Sequence, residues 1–274
     1  MSATVDFADL VRLGFLVKRL APDLRINERD EDIFDLLKSL LEETPPEARE
    51  LLICLLEQMF VLKQYEEPCR EIARRIRRKF ASENILLLPI CDAERKTKSG
   101  HNVHYEVSRF LYADQFSSKI ELDHPESIKE MHLGFNIIFV DDFIGTGSQV
   151  RRMIKRLKER FPGIERRITI FAICVQAVSL QRIADLGCNF SPLVIRPKAI
   201  KDGAAIGNYT ADEAYRLYKA IEDKLSIQVW YRLGYSRSEA LVCMKRTPNN
   251  TLPVFWHMRG KGGKRWPAPF PRDL

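Results

Sequence analysis

The chain has 274 residues, of which 45% are hydrophobic and 30% are charged, and its formal net charge is +7. These values are typical of an ordinary globular protein of one or two domains, at about 150 residues each, and they exclude a disordered or fibrous chain. The longest uncharged stretch, residues 168–181, is shorter than the roughly 20 apolar residues that a membrane-spanning helix needs, so we predict no membrane segment.

The first ten residues contain two Asp and neither Lys nor Arg, unlike a secretory signal or a transit peptide. None of the six cysteines lies in a Cys-x-x-Cys pair or at zinc-finger spacing, which favours reduced, structural thiols. Together these features predict a cytoplasmic protein. Residues 1–62 carry 7 basic and 13 acidic side chains, so the positive charge lies later in the chain. That later region is therefore the one expected to meet phosphates or nucleic acid.

Helical patterns fill the first 83 residues, and we predict no strand among them. Apolar residues at helical spacing run from Glu47 to Gln64, directly after Thr44 and two prolines. Pro68 opens a second amphipathic helix, and Ile33, Leu36, Leu37 and Leu40 indicate another one upstream. We therefore predict a helical N-terminal region over residues 1–83.

From residue 84 onward, short apolar runs alternate with helical patterns. The apolar runs are typical of strands buried on both faces, and they cover residues 85–90, 136–140, 168–175 and 192–195. The helical patterns cover residues 103–116, 149–161, 178–186 and 211–225. This alternation predicts an α/β domain with a mainly parallel sheet over residues 84–274. Its proline-rich C-terminal part is expected to lie across the domain as an extended strap.

The segment IIFVDDFIGTGSQ at residues 137–149 carries the clearest chemistry. A buried strand ends in Asp141 and Asp142, and a loop of small residues then leads directly into a helix. Gly145 and Gly147 let a ligand approach the backbone, and the helix N-terminus offers free N–H groups that suit a phosphate. The carboxylates would accept hydrogen bonds from hydroxyls or bind a metal ion, so the segment fits a sugar phosphate. The alternative is a plain strand-to-helix turn.

This order of residues resembles the loop with which type I phosphoribosyltransferases bind the ribose 5-phosphate of phosphoribosyl pyrophosphate (PRPP). Phe143 stands where that family usually has an aliphatic residue, and Gly145 stands where it usually has a small hydroxyl residue. The tail sequences NNTLPVFW at 249–256 and RWPAPFPR at 265–272 add a resemblance to one branch. That branch is found in bacterial conflict systems, including some retron anti-phage operons.

The resemblance implies a phosphoribosyltransferase-like α/β fold and an enzyme that uses PRPP with Mg²⁺. Such an enzyme would transfer ribosyl phosphate to or from a nucleobase-type acceptor, here as an antiviral defence effector. Asp141 and Asp142 would be the catalytic residues and the Mg²⁺ ligands. The phosphate or PRPP contacts would come from Ile144, Gly145, Thr146, Gly147, Ser148 and Gln149. The alternative is a non-catalytic module on the same fold that senses a nucleotide or binds nucleic acid.

The same resemblance implies a pyrophosphate loop after an earlier strand. The candidate loop follows the run at 85–90 and supplies Arg95, Lys96, Lys98, Ser99 and Gly100. A solvated basic loop is the alternative. Residues 196–209 form a third candidate loop, which would reach the acceptor or the pyrophosphate. A homo-oligomer, and a nucleic acid or a defence-operon protein as partner, are also compatible with the sequence.

Two further features have a structural and a functional interpretation. His101 and His104 lie three residues apart without an identifiable third metal ligand, so we predict a structural or surface role. The basic faces at 70–79 and 149–161, with residues 245–272, fit either a solvated surface or a nucleic-acid contact. Trp256, Trp266 and Phe270 either stack on bases or, as we favour, pack the tail onto the domain.

Overall fold

A computed structural model describes residues 5–20, 32–91, 99–114, 116 and 119–272. Its α-helices are α1 (Phe7–Leu20), α2 (Ile33–Glu43), α3 (Arg49–Glu57), α4 (Glu66–Lys79), α5 (Ser99–Ala113), α6 (Ser148–Arg160), α7 (Ala177–Ala184) and α8 (Ala211–Glu222). Its strands are β1 (Phe60–Val61), β2 (Ile85–Pro89), β3 (Lys119–Glu121), β4 (Asn136–Ile144), β5 (Ile168–Gln176), β6 (Asn189–Arg196) and β7 (Val242–Cys243). Within these ranges, no helix has both the length and the apolar character needed to cross a membrane.

Five of the strands form one parallel sheet in the order β3-β2-β4-β5-β6. Every residue of β2 and β5 is buried, as expected of parallel strands with helices on both faces. The chain passes from β2 outward to β3 and then returns to the other side of β2 as β4. The strand order therefore reverses between β2 and β4, and ligands of open parallel sheets bind at the carboxyl ends of strands at such a point.

Helices cover this sheet. The apolar stripe of α6 packs with Leu86, Leu88, Ile137 and Phe139 in one core. α5 contacts β2 and β4, and α4 contacts α5 and β5. The result is a layered α/β fold, which confirms the predicted class and its parallel sheet.

A second core lies among α1, α2, α3, α8 and the tail of the chain. Phe255, Trp266 and Phe270 belong to it. Trp256 and Trp266 are only 3% and 2% exposed, and each donates its indole N–H to a backbone carbonyl, at 2.8 and 2.9 Å. These aromatic side chains are therefore packing residues, and they have no free face on which a base would stack.

The contacts divide the described chain into two compact units. One contains the residues up to Lys63 and those from Pro197 onward, and the other contains Gln64–Arg196. This division differs from the predicted boundary between residues 83 and 84, because α4 groups with the sheet and the tail groups with the N-terminal helices. The predicted boundary concerns independent folding, which contacts do not measure, and it stays a prediction.

The helix expected over residues 47–64 is wrong in its second half. It ends at Glu57, and Phe60–Val61 form a strand that pairs in parallel with Val242–Cys243. The N–H of Phe60 donates to the carbonyl of Leu241 at 3.0 Å, and that of Leu62 donates to Cys243 at 2.8 Å. Because the pairing partner lies far along the chain, local periodicity cannot reveal it, and the expectation of no strand in this region is wrong as well.

Candidate functional site

The predicted motif lies at the point where the strand order reverses. Pro89, the last residue of β2, pairs with Val140, and β4 then continues through Asp141 to Ile144. Residues 145–147 connect β4 to α6, which begins at Ser148. Gly147 has a φ of 73°, and a Cβ there would lie 3.3 Å from the Cβ of Ser179. Both the left-handed backbone and the close packing therefore require glycine at this position.

Both oxygens of the Asp142 carboxylate accept hydrogen bonds. The Tyr65 hydroxyl donates to Oδ2 at 2.7 Å, and the Ser99 hydroxyl donates to Oδ1 at 2.8 Å. The backbone N–H of Phe143 also donates to Oδ1 at 2.8 Å. Asp142 is only 4% exposed, and a carboxylate is stable at that burial only when donors satisfy it. Asp142 thereby connects Tyr65, which immediately precedes α4, and Ser99, the first residue of α5, to the end of β4.

Asp141 lies beside the N-terminus of α5. It is 7% exposed, and its Oδ1 accepts the backbone N–H of Asp142 at 3.0 Å. A Cβ on Gly100 would lie 3.0 Å from Asp141 Oδ1 and 3.1 Å from the carbonyl oxygen of Ile90, so a larger residue would have to displace these atoms by a few tenths of an ångström. The positive end of the helix dipole favours negative charge at this position.

The loop after β4 is stabilised by a contact between two of its own hydroxyl groups and by a hydrogen bond from α7. The hydroxyls of Thr146 and Ser148 lie 3.0 Å apart, and the Arg182 guanidinium donates to the carbonyl of Thr146 at 3.0 Å. Residues 145–147 are buried, whereas Ser148 and Gln149 are partly exposed. The first N–H groups of a helix have no intrahelical acceptor, so the start of α6 is suited to an anion.

The structure brings some of the predicted site residues together but not all of them. Ser99 and Gly100, predicted for a pyrophosphate loop, lie against the Asp142 and Asp141 carboxylates respectively. Arg95, Lys96 and Lys98 lie outside the described residues. In the third candidate loop, Arg196 ends β6, whereas the residues from 197 onward belong to the other compact unit.

Neither of the two histidines near this site indicates a metal centre. His104 is buried with its Nε2 3.3 Å from the carbonyl oxygen of Leu87, and burial lowers the pKa of its imidazole. This contact agrees with the structural role predicted for it. Across the described ranges, no group of three or more His, Cys, Asp or Glu side chains is placed to hold a metal ion. A metal at Asp141 would therefore take most of its ligands from a bound substrate and water.

Sequence reasoning missed Tyr65 and Arg182. Tyr65 immediately precedes α4 and is 77 positions from the Asp142 that it contacts, and no local pattern marks it. Arg182 is one of many basic residues, and its contact with the carbonyl of Thr146 depends on how α7 packs. Only a three-dimensional arrangement identifies either residue.

The basic faces of α4 and α6 carry many ion pairs. On α4, Arg70, Arg74 and Arg75 pair with glutamates one turn away. On α6, Arg156 and Arg160 both pair with Glu126. Charge that is partly compensated by neighbouring carboxylates attracts phosphates less strongly, so these ion pairs favour the interpretation as a solvated surface.

The PRTase-CE family model matches residues 26–272 of the chain. No curated protein matches the sequence. Similar solved structures include an orotate phosphoribosyltransferase from Aeropyrum pernix, with 12% identity, a TM-score of 0.32, and coverage of 47% of this chain and 69% of that chain. A hypoxanthine-guanine-xanthine phosphoribosyltransferase has 11% identity, a TM-score of 0.32, and coverage of 49% and 76%. The xanthine-guanine-hypoxanthine phosphoribosyltransferase of Helicobacter pylori has 8% identity, a TM-score of 0.33, and coverage of 52% and 88%.

Proposed function

Because the chain belongs to the PRTase-CE family and has a phosphoribosyltransferase-like α/β fold, we propose that it binds PRPP or a ribonucleoside 5′-phosphate and acts as a phosphoribosyltransferase. One observation carries the proposal. Two buried carboxylates and a glycine loop lie together at the carboxyl end of β4, where the strand order of the sheet reverses.

The two carboxylates have different roles in this proposal. Both oxygens of Asp142 already accept hydrogen bonds from neighbouring elements, so Asp142 positions the site. Asp141 is the carboxylate that accepts the ribose hydroxyls. The 5-phosphate binds to residues 144–149, where the first N–H groups of α6 and the Ser148 hydroxyl act as donors.

The proposed reaction breaks the bond between the ribose C1 and the pyrophosphate oxygen, and the electron pair leaves with pyrophosphate. A nitrogen of the acceptor forms the new bond to C1 and loses its proton. Positive charge develops on the ribose during this exchange, and the negative charge of Asp141 stabilises it. Arg95, Lys96 and Lys98, with Ser99 and Gly100, would hold the departing pyrophosphate.

Mg²⁺ fits this site as an ion that binds together with the substrate. Magnesium often binds through one or two carboxylates and the oxygens of a phosphate ligand, and Asp141 supplies such a carboxylate. Both oxygens of Asp142 already accept hydrogen bonds from Tyr65 and Ser99, so a metal ion that binds Asp142 would have to displace or share one of these donors. When bound, the ion neutralises negative charge on the leaving pyrophosphate.

Binding of PRPP is expected to raise the melting temperature of the protein. A ligand present at 100 times its dissociation constant stabilises the folded state by about 2.7 kcal/mol. Thermal unfolding with PRPP, AMP or GMP, each with and without Mg²⁺, measures this, and Mg²⁺ alone is the control. Absence of a shift with all three ligands at millimolar concentration would contradict the proposed site. Pyrophosphate release on addition of a base then distinguishes an enzyme from a sensor.

A second candidate function is nucleic-acid binding by the tail. Residues 240–272 contain seven Lys or Arg residues and no Asp or Glu. Arg259, Lys261, Lys264 and Arg265 are all exposed on one turn, which is closed by a hydrogen bond from Gly260 N–H to the carbonyl of Lys264 at 2.8 Å. Unlike the basic faces of α4 and α6, this turn has no acidic residue in its own sequence to match its charge.

If this turn binds nucleic acid, the double substitution Lys261→Ala with Lys264→Ala should lower the salt dependence of binding. Each phosphate contact on a single strand contributes about 0.7 to the slope of log affinity against log salt, so the slope should fall by about 1.4. Fluorescence anisotropy with a labelled single-stranded oligonucleotide at several salt concentrations measures it. Arg151→Ala with Lys155→Ala on α6 is the matched control and should leave the slope unchanged. Equal effects of the two double variants on the slope would argue against nucleic-acid binding by the tail.

The cellular setting is proposed from the resemblance of the loop and the tail motifs. We place the protein in the bacterial cytoplasm, in an antiviral operon with a protein or nucleic-acid partner. Neighbouring genes for a reverse transcriptase or other defence proteins would support this setting. Light scattering during gel filtration tests for the homo-oligomer.

A further inference from the structure

The first helix, α1, carries apolar side chains on two faces. Its inner face packs with α2 and α3 in the core of its unit, through Leu13, Leu16 and Leu20. Its outer face carries Phe7, Val11 and Phe15, which we call the outer stripe. Residues four positions apart lie on the same face of a helix, so these three side chains follow each other along it. Phe7 and Phe15 are 81% and 71% exposed, and Val11 is exposed as well.

A second, exposed apolar stripe is unusual on a surface helix. Such a helix normally has one apolar stripe that faces the core and polar residues on the opposite side. Single exposed apolar residues are common and need no explanation, but residues in helical register form a continuous patch, and such patches mark interaction surfaces. Ala8 and Gly14, which flank the outer stripe, are also exposed. The outer stripe is therefore a candidate contact surface.

Gly14 is consistent with close approach of a second helix. Glycine inside a helix is less favourable than alanine, because it loses more conformational freedom on folding. A Cβ on Gly14 would meet no atom within 4 Å, so packing within the chain does not explain the glycine. The missing side chain leaves room beside the outer stripe for a bulky side chain of another molecule.

The charges at the two ends of the outer face are complementary to those of a second, antiparallel copy of α1. Asp6 is exposed at the N-terminal end, where its Oδ1 accepts the N–H of Asp9 at 2.8 Å. Lys18 is exposed at the C-terminal end, three residues after Phe15. Antiparallel pairing places Asp6 of each copy beside Lys18 of the other and brings opposite ends of the helix dipoles together. Parallel pairing would place like charges beside each other.

The other charges of α1 favour a protein contact over a membrane surface. Helices that lie on membranes carry many Lys and Arg side chains on their polar face. Arg12 pairs with Glu50 and Glu57, at 2.6 and 2.9 Å. Arg19 donates to a backbone carbonyl of α3. Residues 1–62 carry 13 acidic and only 7 basic side chains, so an anionic lipid surface would repel this region.

We propose that the outer stripe is a self-association surface, through which two copies of the chain pair by antiparallel contact of α1. A two-fold axis midway along the helix makes the same patch serve on both copies, so the contact closes as a dimer. Val11 and Phe15 of one copy pack beside Val11 and Gly14 of the other, and Phe7 lies against the aliphatic stem of Lys18. A 14-residue helix, about 21 Å long, offers less area than a standard interface. The dimer should therefore be weak, with a dissociation constant in the micromolar range.

Sedimentation velocity of the full chain over a range of concentrations tests the proposal. The mass should rise with concentration from that of one chain toward that of two. Phe15→Glu should raise the dissociation constant about 100-fold, because dimerisation would bury two carboxylates without partners. Val229→Glu, the same kind of change at a similarly exposed residue of the same unit, is the matched control and should leave the dissociation constant unchanged. Both variants should keep the parent's melting temperature under dilute, monomeric conditions, because both side chains are exposed.

A charge exchange tests the antiparallel arrangement. Lys18→Glu should raise the dissociation constant about 10-fold, because the new carboxylate would face Asp6 of the other copy. Adding Asp6→Asn should restore most of the affinity, since asparagine still accepts the N–H of Asp9 but carries no charge.

Four results would overturn the proposal. The first is a mass that remains that of one chain up to about 1 mM, which would leave an unlike protein as the occupant of the outer stripe. The second is a dimer that Phe15→Glu and Val229→Glu affect equally. The third is failure of Asp6→Asn to restore the Lys18→Glu protein. The fourth is a monomer that binds vesicles of phosphatidylcholine and phosphatidylglycerol and loses this binding with Phe15→Glu, which would make the outer stripe a membrane contact.

Discussion

We expect Asp141→Asn to weaken PRPP binding at least 100-fold, or about 2.7 kcal/mol, with a much smaller change in the free energy of unfolding. The amide keeps the shape of the side chain, and its oxygen still accepts the N–H of Asp142 that now bonds to Oδ1. What disappears is the negative charge that, in the proposed function, holds the ribose hydroxyls and Mg²⁺. Isothermal titration of PRPP with Mg²⁺ and thermal unfolding on the same preparation give the two quantities.

Asp142→Asn is the matched comparison. It should lower the free energy of unfolding more than Asp141→Asn does, and it should weaken PRPP binding less. Hydrogen bonds to a charged group contribute about 1.5–3 kcal/mol each, and Asp142 accepts one from Tyr65 and one from Ser99. Stability should therefore fall by about 1–3 kcal/mol. In a double-mutant cycle with Tyr65→Phe, the effects on stability should be non-additive, because both variants remove one shared bond. If Asp141→Asn instead lowers stability and leaves PRPP affinity intact, the segment is only a turn and the sugar-phosphate assignment fails.

Gly234→Ala should cause the largest loss of stability among the variants described, about 3 kcal/mol or more. Gly234 has a φ of 78°, and a Cβ there would overlap the carbonyl oxygen of Asn250 and lie 2.9 Å from Ser238 Oγ. Gly262→Ala is the matched control, since Gly262 has a φ of 69° but nothing within 4 Å of the added Cβ. The control should lose only the left-handed backbone cost, about 1–2 kcal/mol. Urea unfolding of both variants measures the difference, and equal losses would show that Gly234 does not pack against Asn250.

Local patterns predicted four of the five strands of the sheet, and they missed its edge strand β3 and the strand β1 of the other unit. The runs at 85–90, 136–140 and 168–175 are mostly apolar because their strands are buried, and each begins where a strand begins. The run at 192–195 begins three residues inside β6. β3 lies at the edge of the sheet and has only three residues, so it is too short to show a hydrophobic pattern in the sequence. β1 depends on its pairing with β7, and no property of residues 60–61 alone distinguishes it from the end of a helix.

The candidate site was predictable only in part, because some of the residues that form it are far apart in the sequence. Asp141, Asp142 and the loop to Ser148 are contiguous, so their chemistry is visible in one stretch of sequence. Tyr65, which completes the shell of donors around Asp142, comes from a distant helix start. The left-handed backbone of Leu233 and Glu239 could not be predicted either, because neither residue type signals that conformation.

The pairing of β1 with β7 has a consequence for the order of folding during synthesis. Residues 64–196 form one contiguous compact unit, so the contacts within it become possible once that stretch has left the ribosome. The other unit is discontinuous, and β1 must wait for β7 while all of the intervening chain is made. Contacts of such long sequence separation form slowly, and domains fold as units as they emerge. We therefore expect the core among the helices before residue 63 to be completed only after β7 and the tail have been made.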